Sequence, residues 1–348
     1  MHFSIPAVDK SLLAELQHKI DNKTKPIGSL GRLEDIAAQI GCIQKTLSPQ
    51  LNIPHMLIFA GDHGAAKAGI SAYPQDVSWQ MIENYLKGGA GANVFSRLNG
   101  MTMLAIDAGV AHDFGPREGL IDAKISPTGT RNYLEEPAMT REQCEAAIAK
   151  GAEIARAIAD QGCNVMGVGE KGIGNTGSAS LITHMITGAS LEDCVGRGTG
   201  LNDAGLAHKK ALMQKAIDRA QLPADADIMT ILCEFGGFEI AMMAGALLAG
   251  AERGMTLLAD GFIATSALLV AHRIAPTITD YCIFSHCSAE AGHRAQIAFL
   301  DGKPVLDIGM RLGEGTGAMV AFPVVRAAIA FINEMASFES AGVSQRVR

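Results

Sequence analysis

Short apolar segments alternate with longer amphipathic segments over most of this 348-residue chain, and this alternation limits the folds open to it. A short apolar run is typical of a buried strand, and apolar residues at helical spacing are typical of a helix on a core. Because a helix between two strands returns the chain to the same end of the sheet, such strands pair in parallel. We therefore predict an α/β fold, a parallel sheet with helices on both faces. The predicted strands are "HMLIFA" (55–60), "MTMLAID" (101–107), "CNVMGV" (163–168), "MTLLAD" (255–260) and "YCIFSH" (281–286), and the predicted helices include 140–161, 203–219, 237–252, 264–273 and 316–335.

Two helices are predicted before the first strand, and no strand is predicted before residue 54. "LLAELQHKI" (12–20) and "SLGRLEDIAAQIGCIQKT" (29–46) carry apolar residues at helical spacing, with Ser29 as a candidate N-cap. Thr140 and Gln143 form the pattern of a capping box at the start of the 140–161 helix. A further strand is predicted near residues 228–233.

The predicted strands end in small and polar residues. In open α/β sheets, ligands bind in the crevice beyond the carboxyl ends of the strands. We therefore expect these turns to be walls of one site, with His63, Glu170, Asp260 and His286 among its polar groups. Turns of this composition also occur without a site, because glycine accepts positive φ and aspartate caps helices. The turns are "AGDHG" (60–64), "DAG" (107–109), "GVGEKG" (167–172), "ADG" (259–261) and "SHCSAE" (285–290).

The spacing G-x-G-x-x-G occurs once in a strand-to-helix turn, at Gly167, Gly169 and Gly172. A dinucleotide-binding fold carries this motif after its first strand, with an acidic residue about 20 positions later at the end of the second. Here the motif lies halfway along the chain, and Glu192 and Asp193 do not end a strand. Residues 172–180 nevertheless lead from a strand into a helix with free backbone amides, and such a helix N-terminus binds phosphate.

Two further motifs carry charged candidates. "GRGTGLNDAGLAHKK" (196–210) ends in Lys209 and Lys210, which either bind an anion or lie on a solvated helix face. "MRLGEGTGAM" (310–319) places Glu314 between two glycines before a helix. That carboxylate either complements the helix dipole or acts as a catalytic base.

Histidines near the strand ends raise the question of a metal. His63 adjoins Asp62, and His286 precedes Cys287 and His293. A zinc site needs three or four ligands at recognisable spacing, which these do not show. We predict no metal and expect capping or substrate-contacting histidines.

Composition argues against several classes of function. The net charge is −7, aromatic residues make up 5%, and no long block of like charge occurs, so a nucleic-acid partner is not expected. The seven cysteines include no C-x-x-C and are expected to be reduced thiols of a cytoplasmic protein. The segment "MHFSIPAVDK" lacks the apolar core of a signal peptide, and no run of 18 apolar residues predicts a membrane span.

Several stretches together resemble one family, the nicotinate-nucleotide–dimethylbenzimidazole phosphoribosyltransferases of cobalamin nucleotide-loop assembly. They cover nearly the whole chain in the family's order, and "GSLGRLE" and "RLGEGTGA" are the specific ones. The matching stretches are "KPIGSLGRLE" (25–34), "GDHG" and "GISAYPQDV" within 61–77, "GVGEKGIGNT" (167–176), "GGFEIAMMAGALL" (236–248), "DGFIATSAL" (260–268), "SHCSAEAGH" (285–293) and "MRLGEGTGA" (310–318).

The resemblance implies transfer of phosphoribose from nicotinate mononucleotide to 5,6-dimethylbenzimidazole or a related base. The products would be α-ribazole 5′-phosphate and nicotinate, with no metal or redox cofactor. It also implies a Rossmann-like catalytic domain over 49–324, a small helical domain from 1–48 with 325–348, and a cytoplasmic homodimer.

The resemblance also implies roles for individual residues. Glu314 corresponds to the catalytic carboxylate and Glu170 to a second active-site glutamate. Many members have a second threonine where this chain has Gly177, and a proline where it has Ile27. The expected nucleotide and phosphate site comprises Gly172, Ile173, Gly174, Asn175, Thr176, Ser178, Lys209, Asp260, His286 and Ser288. The expected base site comprises Tyr73, Gln80, Met81 and Leu312.

Two other functions compete with this one. The glycine motif alone favours an NAD(P)-dependent oxidoreductase. A base- or nucleotide-binding subunit without catalysis is the other alternative, and the intact Glu314 argues against it.

Overall fold

The computed structural model describes residues 2–344, and a six-stranded parallel sheet lies at its centre. The strand order is β3-β2-β1-β4-β5-β6, which is the order of a doubly wound Rossmann-like sheet. The topology reverses direction between β1 and β4, where such sheets open a crevice for ligands. The strands are β1 (His55–Gly61), β2 (Thr102–Gly109), β3 (Leu120–Asp122), β4 (Val165–Lys171), β5 (Thr256–Ala259) and β6 (Cys282–Phe284).

Helices cover both faces of this sheet. They are α1 (Leu13–Asp21), α2 (Arg32–Ile43), α3 (Val77–Leu86), α4 (Gly91–Asn99), α5 (Arg141–Asp160), α6 (Asn175–Thr187), α7 (Leu191–Cys194), α8 (Asp203–Ala220), α9 (Ile228–Phe235), α10 (Phe238–Glu252), α11 (Phe262–Ile274), α12 (His293–Phe299), α13 (Thr316–Glu334) and α14 (Phe338–Ala341).

Alternate residues of the central strand face two different apolar clusters. Leu57 and Phe59 pack into the larger cluster, with α5, α6, α10 and α11. Met56 and Ile58 point the other way, into a cluster with α2 and α13. Every residue of β1 is buried, as expected for a parallel strand covered on both faces. The predicted α/β class and its two helical layers are confirmed.

The five predicted strands correspond to β1, β2, β4, β5 and β6, and the capping box between Thr140 and Gln143 is present at the start of α5. The predicted strand near 228–233 is wrong, because those residues form α9. Asp227 caps this helix by accepting a hydrogen bond from the backbone N–H of Thr230. A short apolar run does not by itself distinguish a strand from a buried helix.

Ser29 is not the N-cap of α2, which is a second correction. The helix begins at Arg32 after Gly31, whose φ is 51°. Glu34 in the first turn instead accepts a hydrogen bond from the backbone N–H of Leu30 and pairs with the Lys25 ammonium at 2.7 Å. This buried pair anchors the chain before α2.

The two chain ends meet in the second apolar cluster. Leu16 of α1 and Ile36 of α2 belong to it together with Ile329 of α13, which supports a helical unit built from both ends. The same cluster also contains strand residues such as Met56, and α13 continues through residue 324. The division into 1–48 with 325–348 and 49–324 stays a prediction, and Met1 and residues 345–348 lie outside the described part of the chain.

One helix within residues 2–344, Thr316–Glu334, is long and apolar enough to cross a membrane by length and composition. A share of 56% of its most apolar window is buried inside the protein. Met319, Phe322 and Val325 are among its fully buried side chains. Such burial is the pattern of a core helix.

Candidate active site

A cavity of about 610 Å³ opens at the carboxyl ends of β4, β5 and β6. Its walls are residues 170–173 at the end of β4, residues 260–264 after β5, His286, Ser288 and Glu290 after β6, and the loop 311–314. Three of the five predicted turns therefore converge on one crevice.

The other two turns lie behind the cavity. In 107–109, Asp107 accepts hydrogen bonds from the backbone N–H groups of Gly109 and Val110 and pairs with Lys124 at 2.9 Å. In 60–64, His63 is fully buried. The expectation that all five turns form walls was too broad, because these polar groups bind other parts of the protein.

A larger groove of about 970 Å³ lies elsewhere, between α1 and the segment that follows α13. It lies away from the carboxyl ends of the strands. Its acidic side chains Glu15, Glu334 and Glu339 lie on helices of the surface layer. We place the candidate site in the smaller cavity, where the topology of the sheet favours ligand binding.

Glu170 and Glu314 meet at one side of the cavity. Glu170 ends β4 and is 6% exposed, and Asn175 donates a hydrogen bond to its carboxylate. Burial raises the pKa of Glu170 to about 7, and the charge of Glu314 acts in the same direction, while Lys171 and Asn175 oppose it. Glu314 is 3% exposed and pairs with the Lys171 ammonium at 3.0 Å.

Glu314 lies in an unusual backbone turn. Gly313, Glu314 and Gly315 have φ angles of 78°, 60° and 71°, so three successive residues are left-handed. The strand β4 presses against this turn, since a Cβ on Gly169 would lie 2.4 Å from the Gly315 nitrogen. A left-handed residue other than glycine is costly and persists where its surroundings enforce it. Here the two backbones hold Glu314 beside Glu170.

The segment after β4 forms a helix N-terminus at the cavity. Gly174, with φ of 97°, precedes α6, and Gly172 touches the chain behind it so closely that a Cβ would lie 2.2 Å from the Gly61 carbonyl oxygen. Gly172, Ile173, Asn175 and Thr176 line the cavity. The backbone N–H of Ile173 already donates to Ser78 Oγ at 3.1 Å and that of Asn175 to the Gly172 carbonyl at 3.2 Å, so the other amides of this helix N-terminus are the ones suited to an anion.

Lys209 reaches this helix from behind. Its side chain is buried, and its ammonium donates to Thr176 Oγ1 at 2.7 Å and to the Gly196 carbonyl at 3.3 Å. Burial lowers the pKa of Lys209 to about 8, while the charge of Glu290 acts in the opposite direction. Lys210 instead pairs with Glu192 at the surface.

Ser178 points away from the cavity. Its hydroxyl lies 3.1 Å from Nδ1 of His63, whose Nε2 lies 2.6 Å from a carboxylate oxygen of Glu239. Burial acts to lower the pKa of His63, but the carboxylates of Glu239, Asp62 and Glu170 raise it above its usual value. This buried network supports the first turn of α6 from behind.

Gly177 fits the same packed region. A Cβ at this position would lie 2.4 Å from the hydroxyl of the buried Tyr133. The Tyr133 side chain therefore fills the space that a threonine at position 177, as in many family members, would need.

Asp260, His286 and Ser288 form the opposite wall. Asp260 accepts a hydrogen bond at 2.8 Å from the backbone N–H of Ala318 in the first turn of α13. Nε2 of His286 lies 3.8 Å from Asp260, and its buried Nδ1 has no hydrogen-bond partner among the described residues. The backbone N–H of Ser288 donates to Nδ1 of His293, whose pKa is lowered to about 3 by burial.

No group of three His, Cys, Asp or Glu residues within 2–344 is arranged to hold a metal.

The predicted base site has two sides. Tyr73 and Met81 line the cavity from α3 and the turn before it, and Leu312 lines it from the Glu314 loop. Gln80 is exposed and is not among the cavity residues, so its predicted place in the base site is not supported. Tyr73 and Leu312 are half exposed, at 53% and 58%, so they stand at the mouth.

The structure adds residues that the sequence did not single out. Lys171, Glu290 and Arg311 line the cavity, and Arg311 donates to the Gly198 carbonyl at 3.2 Å. Lys171 directly follows Glu170, and Arg311 lies in the same motif as Glu314. Lys171 and Arg311 are therefore close in the chain to residues that the sequence analysis singled out, and that was the available signal.

Comparison with known proteins gives a consistent result. A family model described as "Phosphoribosyltransferase" matches residues 5–343. The chain is 60% identical over 348 residues to the nicotinate-nucleotide–dimethylbenzimidazole phosphoribosyltransferase of Dechloromonas aromatica (strain RCB), covering 99% of this chain and 100% of the relative. It is 58% identical to the protein of that name from Aromatoleum aromaticum, with both chains covered completely. The crystal structure of CobT from Thermus thermophilus superposes with a TM-score of 0.92 at 38% identity, covering 96% of this chain and 99% of that one.

Proposed function

This chain belongs to the nicotinate-nucleotide–dimethylbenzimidazole phosphoribosyltransferase family, and from that premise we propose that it moves phosphoribose from nicotinate mononucleotide to 5,6-dimethylbenzimidazole. The products are α-ribazole 5′-phosphate and nicotinate. The observation that carries this proposal is one cavity that joins two adjacent glutamates, Glu170 and Glu314, to a helix N-terminus backed by Lys209.

The phosphate end of the cavity is proposed to anchor the nucleotide. The amides of Gly172 and Gly174, the side chains of Asn175 and Thr176, and the charge behind them suit a 5′-phosphate, with Ile173 held in place by its N–H to Ser78 Oγ. Ser178 then acts indirectly, through its hydrogen bond to His63. Asp260, His286 and Ser288 are proposed to face the ribose or the nicotinate from the other wall.

The reaction needs charge stabilisation more than acid catalysis. When the bond between nicotinate and ribose breaks, positive charge develops on the ribose, and the cationic pyridinium is already a good leaving group. A carboxylate beside the sugar stabilises that charge, which is the role proposed for Glu170. Attack from the face opposite the departing nicotinate converts the β-nucleotide into an α-nucleotide in one displacement.

Glu314 is proposed as the general base. The attacking benzimidazole carries an N–H proton, and its removal by the carboxylate leaves the second nitrogen of the product neutral. Leu312 and Gly313 precede Glu314 in the cavity wall, so a flat base bound between Leu312 and Met81 would lie beside it. Gln80 lies outside the cavity and is given no contact with the base.

The competing functions have less support. Gly167 and Gly169 lie inside β4 and only Gly172 follows it, whereas a dinucleotide site carries the motif after the first strand of the fold. The relatives are named as phosphoribosyltransferases. Both carboxylates line the cavity, which disfavours a subunit without catalysis.

We further propose a cytoplasmic homodimer that needs no metal or redox cofactor. The family resemblance motivates the dimer, and the exposed apolar side chains Val94, Leu98 and Leu312 support it. Leu312 lies beside the start of α4, which carries Val94 and Leu98.

The test is product analysis by chromatography. Nicotinate mononucleotide is incubated with the enzyme and a panel of benzimidazoles, purines and phenols. We expect stoichiometric nicotinate and an α-nucleotide of the preferred base. Hydride transfer to a nicotinamide cofactor, or binding without turnover by an intact protein, would contradict the proposal.

A further inference from the structure

One face of α3 continues from the cavity into the protein core. Val77, Met81 and Tyr85 are spaced by four residues, so they lie along one side of the helix. Val77 and Met81 line the cavity, and Tyr85 lies one turn further along. Tyr85 is 3% exposed and belongs to the same apolar cluster as Met56 and Ile58. Its ring is therefore fixed in the core one helical turn beyond the Met81 wall of the cavity.

The hydroxyl of Tyr85 is buried without a hydrogen-bond partner among the described residues. The other buried tyrosines differ from it. Tyr281 donates to the Pro6 carbonyl at 2.9 Å, and the Tyr133 hydroxyl contacts the Met213 sulfur. A buried hydroxyl without a partner is costly, so its retention at this place calls for an explanation.

The turn that carries Glu314 packs on the same apolar cluster as Tyr85, since a Cβ on Gly315 would lie 2.5 Å from the Met56 sulfur and 3.3 Å from Cδ1 of Ile58. Burial raises the pKa of Tyr85 far above its usual value, and the charges of Glu314 and Glu170 raise it further. The hydroxyl therefore stays protonated and is available only as a donor to these carboxylates. Glu314 has acceptor capacity to spare, because a carboxylate offers about four lone-pair sites and Lys171 contacts only Oε1.

We propose, building on the proposed function, that Tyr85 is a positioning residue that donates its hydroxyl to the Glu314 carboxylate during turnover. The hydrogen bond would fix the plane of the carboxylate from below, as Lys171 fixes it from the side. The remaining lone pairs then point at the N–H group of the bound base. Tyr85 itself touches neither substrate.

The first test is Tyr85→Phe, which keeps the ring and removes the donor. We expect kcat to fall by about 10- to 100-fold, the range for a hydrogen bond to a charged acceptor. The KM for nicotinate mononucleotide and the melting temperature should change little, because Tyr85 does not line the cavity and its hydroxyl has no other partner among the described residues. Tyr281→Phe is the matched control. It loses a real hydrogen bond at the opposite, amino end of β6 and should keep kcat.

The second test is a double-mutant cycle with Glu314→Gln. If Tyr85 acts through Glu314, Tyr85→Phe should change the rate of the Glu314→Gln enzyme less than twofold, by the coupling expected of residues in contact. Equal losses in both backgrounds, or an unchanged kcat in Tyr85→Phe alone, would refute the inference.

Wild-type enzyme in the same assay separates this inference from the function on which it rests. If the wild type forms no nucleotide product, the proposed function fails. If the wild type is active and Tyr85→Phe equals it, only the role of Tyr85 fails. If Tyr85→Phe does not fold, a fluorotyrosine at position 85 keeps the ring and strengthens the donor. It should then alter kcat in the wild-type background and leave it unaltered in Glu314→Gln, and any other pattern overturns the inference.

Discussion

At the scale of single residues, Glu314 combines a left-handed backbone with an almost buried carboxylate between two glycines. Glu314→Gln keeps the shape and removes the ability to accept a proton. General-base assistance contributes about 10²- to 10⁴-fold, so we expect kcat to fall by that order while both KM values change little. Steady-state kinetics with saturating base measures this.

An N-methylated benzimidazole, which reacts without loss of a proton, serves as the control substrate. Its kcat should be nearly the same in Glu314→Gln as in the wild type. Full turnover in Glu314→Gln together with loss of turnover in Glu170→Gln would exchange the two proposed roles.

Lys209 gives a prediction about pH. Its pKa is lowered by burial to about 8, so the unliganded enzyme loses this charge as the pH rises through 8. A phosphate binds the protonated form more tightly, and binding should weaken by up to about tenfold between pH 7 and 9, because the protonated fraction of one such group falls by that factor over this range. Calorimetric titration of nicotinate mononucleotide across this range measures the effect.

Lys209→Met is the matched variant, because it fills the same buried space without a charge. It should bind more weakly at pH 7 and show little change up to pH 9. A wild-type affinity that stays constant over the same range would assign the phosphate to the α6 amides alone.

The sequence could indicate a site residue where the stretch of chain around that residue also lines the site. Glu170, Glu314 and residues 172–176 lie in motifs that line the cavity as continuous segments. Ser178 and Gln80 lie in segments that reach the site, but their side chains point elsewhere. That direction depends on the path of the whole helix, as does the placement of Tyr85.

At the scale of elements, α5 and α10 cross with their backbones in contact. A Cβ on Gly151 would lie 1.9 Å from the Met242 carbonyl oxygen, and one on Gly245 would lie 2.0 Å from the Ile148 carbonyl oxygen. Gly151→Ala should therefore destabilise the protein by roughly 1–3 kcal/mol, because overpacking outweighs the gain in helix propensity.

Chemical denaturation monitored by circular dichroism measures this change. Gly91→Ala is the control, since a Cβ at the first residue of α4 would meet its nearest neighbour at 3.4 Å, an ordinary contact. Equal free energies of unfolding for the two variants would mean that α5 and α10 can move apart at this crossing at little cost.

The buried elements were the ones that the sequence predicted well. Parallel strands covered on both faces are continuous apolar runs, and five of them stood out for that reason. The short edge strand β3 has no such run, and α9 imitates a strand because its eight residues are almost all apolar. The sequence alone therefore could not show that residues 120–122 form a strand or that residues 228–235 form a helix, because both depend on tertiary contacts.

At the scale of the whole molecule, the exposed apolar side chains Val94, Leu98 and Leu312 lie near the mouth of the cavity. We predict that they are covered in a homodimer. Light scattering at micromolar concentration should give twice the chain mass, and Leu98→Glu, which places a charge in that surface, should shift the population toward monomer. A monomer in the wild type, or a dimer insensitive to Leu98→Glu, would count against this interface.

The contact between β4 and the Glu314 turn has a consequence for how such an enzyme can diverge. On that side, backbone meets backbone at Gly169 and Gly315, so almost any new side chain there would displace Glu314. On the other side, Tyr73, Met81 and Leu312 reach the cavity by side chains alone, two of them half exposed. Mutations can therefore accumulate on one wall while the other stays fixed. Substitutions on that wall can change the base that is accepted without rebuilding the chemistry, and the glycines of the G-x-G-x-x-G spacing in this chain have steric reasons unrelated to dinucleotides.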